Sequence, residues 1–236
     1  MYRYKEEIGL TTDHLVVDID SEWIKEDEKA EKTRDLTDYG FYARYNAEAE
    51  LIVQLMKNHG KVKTVLELGS GPGLLAQKIQ EKYPIKMYHL VDGKGAQTVF
   101  NKRGYKGDFY IRNMMNDFEM VDFNWSYDFI ILNDFLEHIR NPSIILTKLY
   151  NFSIETTKLF ISVPNWRCGH VFFYPGLFDY DNFYKFVEIH KFKFEDCYGS
   201  NMRVKNYLNV KLDSESTLPE SMISSWNWYF LFNKNV

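Results

Sequence analysis

Cysteine is nearly absent from this 236-residue chain: it has Cys168 and Cys197 and no Cys-x-x-Cys pair. Such a set builds neither a disulfide framework nor a zinc cluster, so no metal and a reducing compartment are expected. Long apolar runs are missing too. The longest, such as residues 129–132, are far too short to cross a bilayer, and no signal-type apolar segment follows the charged N-terminal residues. The expected location is cytoplasmic, with no membrane partner. Nor is there excess positive charge: 29 Lys and Arg against 33 Asp and Glu give a net charge of -4, which does not draw in phosphate backbones. Nucleic acid is therefore not the expected partner, and Lys102, Arg103 and Lys106 read as solvated surface. Six prolines, no repeat and no low-complexity linker argue against a fibrous or modular chain.

What is abundant is aromatic side chain, 17% of residues, which calls for an aromatic core or an aromatic cavity. The length suits one α/β domain. Residues 22–35 are charged and read as a solvated helix or lid. Over residues 40–59 the apolar positions follow a helical period, with Gly60 as the stop. Short apolar runs then alternate with helical stretches, the pattern of βαβ units. Strands are expected at 62–68, 87–91, 109–112, 127–132, 159–163, 193–198 and 226–232. Helices are expected at 74–82, 96–102, 141–152, with Asn141 as cap and Pro142 at its first position, and 182–190; residues 213–221 read as a loop. The uninterrupted apolar run 127–132 marks the sheet centre.

The most informative segment is the strand-to-helix turn Gly69-Ser70-Gly71-Pro72-Gly73. Glycine there permits strained backbone angles and lets a ligand lie against the chain with no Cβ in the way, while the helix N-terminus presents N–H groups to a negative group. A tight turn without a ligand would use the same residues. Asp92, 19 residues after Gly73, ends the second strand, where a carboxylate can accept hydrogen bonds from ribose hydroxyls; its bland alternative is an Asp-Gly turn.

Glu67-Leu68-Gly69-Ser70-Gly71-Pro72-Gly73 resembles the E/D-x-G-x-G-x-G motif of class I S-adenosylmethionine-dependent methyltransferases, with Asp92 at that family's ribose position. The segment from Tyr127 through Asn133-Asp134-Phe135-Leu136-Glu137-His138-Ile139 is similar to the fourth strand and Leu-Glu-His turn of the ubiquinone-biosynthesis-like branch, methyltransferase types 11, 12 and 23. Phe160-Ile161-Ser162-Val163-Pro164-Asn165 resembles that branch's fifth strand with its Val-Pro-Asn ending. The motifs span roughly residues 61–170 in order.

The resemblance implies a doubly wound Rossmann-like α/β fold: seven strands, mostly parallel, the last antiparallel, helices on both faces and an N-terminal helical lid. One domain would comprise a lid (1–60), a cofactor-binding core (61–163), and acceptor-side loops with C-terminal strands (164–236). The donor would be S-adenosyl-L-methionine and the product S-adenosyl-L-homocysteine, without a metal. Glu67 and the turn Gly69, Ser70, Gly71 and Gly73 would hold the methionyl part, Asp92 the ribose, and residues 114–116 the adenine. Met115 and Asn116 are the named contacts there, though Asn116 departs from the acidic residue often found at its position, and Asp117 is an equal alternative. Asn133 and Phe135 would meet the donor end, with Leu74, Gly93 and His138 also lining the cofactor.

Displacement at a sulfonium carries its charge from the start, so the protein's task is alignment and exclusion of water. His138 is the general-base candidate, since imidazole titrates near neutrality; a brace for backbone carbonyls is the alternative. His170 and Tyr45 are further catalytic candidates. Tyr39, Phe41, Tyr42 and Tyr45 with Trp166, Phe172, Phe173 and Tyr174 would cover an acceptor pocket, joined by Asn165 and His170, with Arg44 for a substrate carboxylate or phosphate. Ordinary aromatic packing explains the same rings equally well. Cation–π attraction tilts the expected acceptor towards an amine over a hydroxyl, on a small polar metabolite such as a precursor of bacterial surface polysaccharide. A monomer or homodimer is expected. The rivals are an NAD(P)-dependent oxidoreductase, which Gly71-x-Gly73-x-x-Ala76 also fits, and a non-catalytic S-adenosylmethionine-binding protein. A base-flipping enzyme is disfavoured by the lack of an Asn-Pro-Pro-Tyr turn.

Overall fold

A computed structural model describes residues 40–112, 126–139, 141–164, 177–178, 180–200, 210–211 and 227–235, and of 40–43, 181, 200, 210 and 211 the backbone alone. The first described element, α1 (Gly40–His59), turns Ala49, Ile52, Val53 and Met56 inward, and all four are buried. It stops where Gly60 takes a φ of +113° and sends its N–H back to the Met56 carbonyl at 3.1 Å, a conformation that a residue with a Cβ resists.

Strand β1 (Thr64–Leu68) begins two residues later than its apolar run suggests. The Val62 N–H donates to the Tyr83 hydroxyl at 3.1 Å and the Lys63 N–H to Asp128 Oδ2 at 2.7 Å, so side chains take amides that a strand ladder would otherwise use. There follow α2 (Leu74–Gln80), β2 (Met87–Asp92), α3 (Lys94–Arg103), β3 (Asp108–Ile111) and β4 (Tyr127–Asn133). Next come α4 (Pro142–Phe152) and β5 (Ser153–Pro164), then α5 (Tyr180–Ile189), β6 (Phe192–Ser200), β7 (Val210–Lys211) and β8 (Asn227–Lys234).

Two local expectations are corrected. Asn141 occupies the N-cap of α4 but makes no side-chain cap; at φ -132° and ψ 78° only its carbonyl serves, accepting the Ile144 N–H at 3.2 Å. β5 starts six residues before 159, directly after α4, because Ser153 already pairs with Tyr127. Thr157 bridges the register shift that follows: its hydroxyl donates to the Tyr127 carbonyl at 2.7 Å and accepts the Ile154 N–H at 2.8 Å.

The sheet order is β3-β2-β1-β4-β5-β8-β6-β7. Strands β1 to β5 are parallel, and β8 runs antiparallel between β5 and β6. The expected seven strands are present, and β7 adds a two-residue pairing on Tyr198 and Gly199. Phe129, Ile130, Ile131 and Leu132 of β4 are fully buried, as a strand covered on both faces must be. On one face Val65, Leu90, Phe129, Ile131, Phe160 and Tyr229 pack under α1, α2 and α3. On the other, Leu66, Ile130, Ile161 and Phe230 pack under α4 and α5. Each such side chain contributes roughly 1.5–3 kcal/mol.

Much of the aromatic excess goes into that second core. Phe183 lies 5.1 Å from Phe230 and 5.6 Å from Phe178, centroid to centroid, and Tyr180 lies 5.6 Å from Phe230.

Candidate functional site

Strands β1 and β4 are neighbours, and the winding reverses between them, so a crevice opens beyond their carboxyl ends. The turn after β1 is held left-handed at Gly69, Gly71 and Gly73, with φ of +69°, +51° and +81°. A Cβ on Gly69 would stand 2.4 Å from Phe135 Cδ2, so the turns that follow β1 and β4 touch each other. Asp92 ties this turn to β2. Its Oδ2 accepts the Gly71 N–H at 2.7 Å and its Oδ1 accepts the Gly93 N–H at 2.6 Å, while the Gly69 N–H donates to the Val91 carbonyl at 2.9 Å. Glu67 is buried beside it and accepts the Tyr88 hydroxyl at 2.7 Å. Burial pushes its carboxyl up to about 8, against the Tyr88 hydrogen bond that lowers it, with the Asp92 and Glu48 charges adding to the rise.

A second cluster lies at the carboxyl end of β4, where α1 crosses it. Glu48 of α1 is buried and accepts the Asn133 amide Nδ2–H at 3.1 Å on Oε2 and the Tyr229 hydroxyl at 3.0 Å on Oε1. Arg44, one turn earlier, places Nε 3.0 Å from Glu48 Oε1 and Nη2 2.5 Å from Asp134 Oδ2. Asp134 has a φ of +47°, unusual for a residue with a side chain. The carboxylate explains why that conformation is held: Oδ1 accepts the Ser162 hydroxyl at 2.5 Å and the Asn227 amide at 2.7 Å. Burial raises Glu48 to about 7, with the Arg44 charge working the other way. Burial alone would lower the Arg44 guanidinium; the Asp134 and Glu48 charges outweigh it and raise it.

His138 ends a short 3-10 turn, Leu136–His138, with Nε2 3.7 Å from Glu137 Oε1. Its side chain is 41% exposed while that of Glu137 is buried completely. Burial, then the Asp134 charge, hold the Glu137 carboxyl well above the usual range.

Of the residues picked from sequence, Glu67, Gly69, Ser70, Gly71, Gly73, Leu74, Asp92 and Gly93 thus sit around one turn, and Asn133, Phe135 and His138 on or just beyond the end of β4. Tyr45 adjoins the second cluster, its ring centroid 5.4 Å from the Arg44 guanidinium carbon. Tyr39, Met115, Asn116, Asn165, Trp166 and His170 lie outside the described residues, as do Phe172, Phe173, Tyr174, the charged stretch 22–35 and the loop 213–221. So do the side chains of Phe41 and Tyr42.

Residues 41–211 match the family model described as "Methyltransferase domain", well over half of the chain. This chain belongs to the methyltransferase domain family. Curated proteins yield no match. Among solved structures, an S-adenosylmethionine-dependent methyltransferase from Clostridium acetobutylicum is similar at a TM-score of 0.60 and 12% identity, covering 91% of this chain and 99% of that one. The plantazolicin methyltransferase BpumL in complex with S-adenosylhomocysteine reaches 0.57 at 15% identity, covering 92% and 94%. A possible histamine N-methyltransferase from Thermotoga maritima reaches 0.60 at 14%, covering 92% and 99%. At such identities these likenesses establish the fold, and the resemblance to class I methyltransferases of the type 23 branch is borne out.

Four residues bonded or adjacent to the candidate site were not picked from sequence as site residues: Glu48, Asp134, Tyr88 and Glu137. One signal existed for Glu48. It shares the inward stripe of α1 with Ile52 and Met56, where an acidic residue is out of place unless something polar meets it. Among the described residues no group of three or more His, Cys, Asp or Glu side chains can hold a metal ion, and no helix is long and apolar enough to cross a membrane.

Proposed function

We propose that the methyltransferase takes its methyl group from S-adenosylmethionine, held across the crevice between β1, β2 and β4, and delivers it to a nitrogen or oxygen of a small polar acceptor. The observation that carries this is the Asp92 junction: a carboxylate on the end of β2, one strand from a left-handed glycine turn, at the point where the winding reverses. The residues suit the donor. Asp92 is a carboxylate, a group that accepts ribose hydroxyls, and Asn133 Oδ1 is a buried acceptor with no hydrogen-bond partner among the described residues. The donor supplies an electrophilic methyl on a cationic sulfur. The protein supplies alignment: Phe135 closed on Gly69 as a wall, and Asn133 held in one orientation by Glu48.

Arg44 is engaged by two carboxylates of its own chain, so it orders the acceptor side of the site instead of receiving a substrate anion. In this reading His138, part exposed beside Glu137, takes a proton from the acceptor. A melting-temperature screen tests the reading against its oxidoreductase rival: S-adenosylhomocysteine stabilises the protein and NAD(P) does not. Stabilisation by NAD(P) alone would reverse the assignment.

A further inference from the structure

We propose that Glu48 is a positioning residue of this methyltransferase: gain or loss of a proton on its carboxyl sets which end of the Asn133 amide is turned away from α1, and the donor binds when Glu48 is ionised. The inference rests on the donor-binding reading above, which places the donor at this end of β4, and deepens it. Glu48 is buried and has different partners on its two oxygens. Oε1 accepts the Tyr229 hydroxyl at 3.0 Å and stands 3.0 Å from Arg44 Nε, while Oε2 accepts the Asn133 Nδ2–H at 3.1 Å. Asn133 Oδ1 is thereby turned away from Glu48, a buried acceptor with no hydrogen-bond partner among the described residues.

These contacts are those of a carboxylate. A neutral Glu48 carries a proton on one oxygen, and the two oxygens are not equivalent. A proton on Oε1 would meet the Arg44 guanidinium, which is positively charged and only donates. That leaves Oε2, where an O–H would oppose the Asn133 Nδ2–H, so the amide has to turn and accept it on Oδ1. Asn133 then presents N–H groups where its carbonyl stood. A donor with a cationic sulfur and an ammonium is attracted by the carbonyl end of that dipole and opposed by the N–H end. Burial raises Glu48 to about 7, with the Arg44 charge working the other way, so the exchange falls near neutrality. The charged and titratable groups acting on Glu48 are Arg44 and Tyr45 of its own helix, Glu67 of β1, Asp134 beyond β4 and Tyr229 of β8.

Calorimetry of the full-length protein with S-adenosylhomocysteine, which carries the donor's ammonium, tests this as a pH series. Affinity is expected to fall roughly tenfold or more from pH 8 to pH 5.5, as the ionised fraction of Glu48 falls. The amino group of the ligand gains protons over the same range and works in the opposite sense. Glu48→Gln of unchanged circular dichroism imitates the neutral form, its amide oxygen replacing Oε1 and its N–H groups replacing Oε2. That variant should bind at pH 8 about as weakly as the parent does at pH 5.5, with the pH dependence cut severalfold or more. Tyr229→Phe removes a hydrogen bond that favours the ionised form and should move the fall in affinity to higher pH. Equal weakening of Glu48→Gln at every pH, with the pH dependence of the parent kept, would show a merely structural role and overturn the proposal. So would a parent affinity that does not change with pH, or a midpoint that stays in place in Tyr229→Phe. No binding of S-adenosylhomocysteine at any pH would instead strike the donor-binding reading, and this proposal with it.

Discussion

Gly69 is the residue at which the two halves of the crevice meet. A methyl group there would collide with the Phe135 ring at 2.4 Å while sitting at a φ of +69° that only glycine adopts freely. Gly69→Ala is expected to destabilise the fold by about 1–3 kcal/mol and to abolish donor binding, measured by urea denaturation and calorimetry. Asp92→Asn keeps the shape of the side chain and removes its charge. S-adenosylhomocysteine should then bind roughly tenfold to a hundredfold more weakly, and the melting temperature of the free protein should fall as well, because an amide oxygen can accept only one of the Gly71 and Gly93 N–H groups. His138→Ala is expected to lower kcat by about a hundredfold while donor affinity stays put; turnover within a few fold of the parent would leave that side chain a brace for the turn. The glycines were readable from sequence because backbone strain restricts which residues occupy such a turn, and Asp92 because it closes the second strand 19 residues after Gly73. Asp134 was not, since its role comes from partners on α1, β5 and β8 that no local pattern joins.

At the scale of elements, α1 is anchored over the sheet by charge as well as by its apolar stripe. Arg44→Ala leaves Glu48 and Asp134 without their cation, and a loss of about 3–5 kcal/mol is expected, read as a lower urea midpoint. The carboxyls set a pH dependence whose sign follows from burial. Glu48 and Glu67 are raised to about 7 and about 8, so each is favoured in its neutral form in the fold. Their contribution is complete below the usual carboxylate range and is lost as pH rises through 7 and 8, at up to about 1.4 kcal/mol per pH unit for each proton involved. The urea midpoint of the ligand-free protein should therefore fall between pH 5 and pH 8. Glu67→Gln, which can still accept the Tyr88 hydroxyl, should flatten that fall; an unchanged slope would show that Glu67 is ionised in the fold. Apart from the two-residue β7, the types of the described helices and strands were readable from periodicity, whereas their ends were not. The starts of β1 and β5 are decided by Asp128, Tyr83 and Thr157, side chains whose reach across the fold leaves no periodic trace.

For the molecule as a whole, the parallel half of the sheet carries the crevice, and β8, inserted antiparallel between β5 and β6, brings Asn227 and Tyr229 to the same end. Strand count and order follow from the family likeness, but the polar network that β8 completes does not. Its partners are up to 181 positions apart in sequence. The central claim is that the glycine turn and Asp92 together hold a nucleoside sulfonium. Titration calorimetry on protein of verified fold tests it most directly, with S-adenosylmethionine, S-adenosylhomocysteine and NAD(P) injected separately. Saturable one-to-one binding of the first two and no heat from the dinucleotides is the result predicted; a folded protein silent to both the methyl donor and its product would contradict the account.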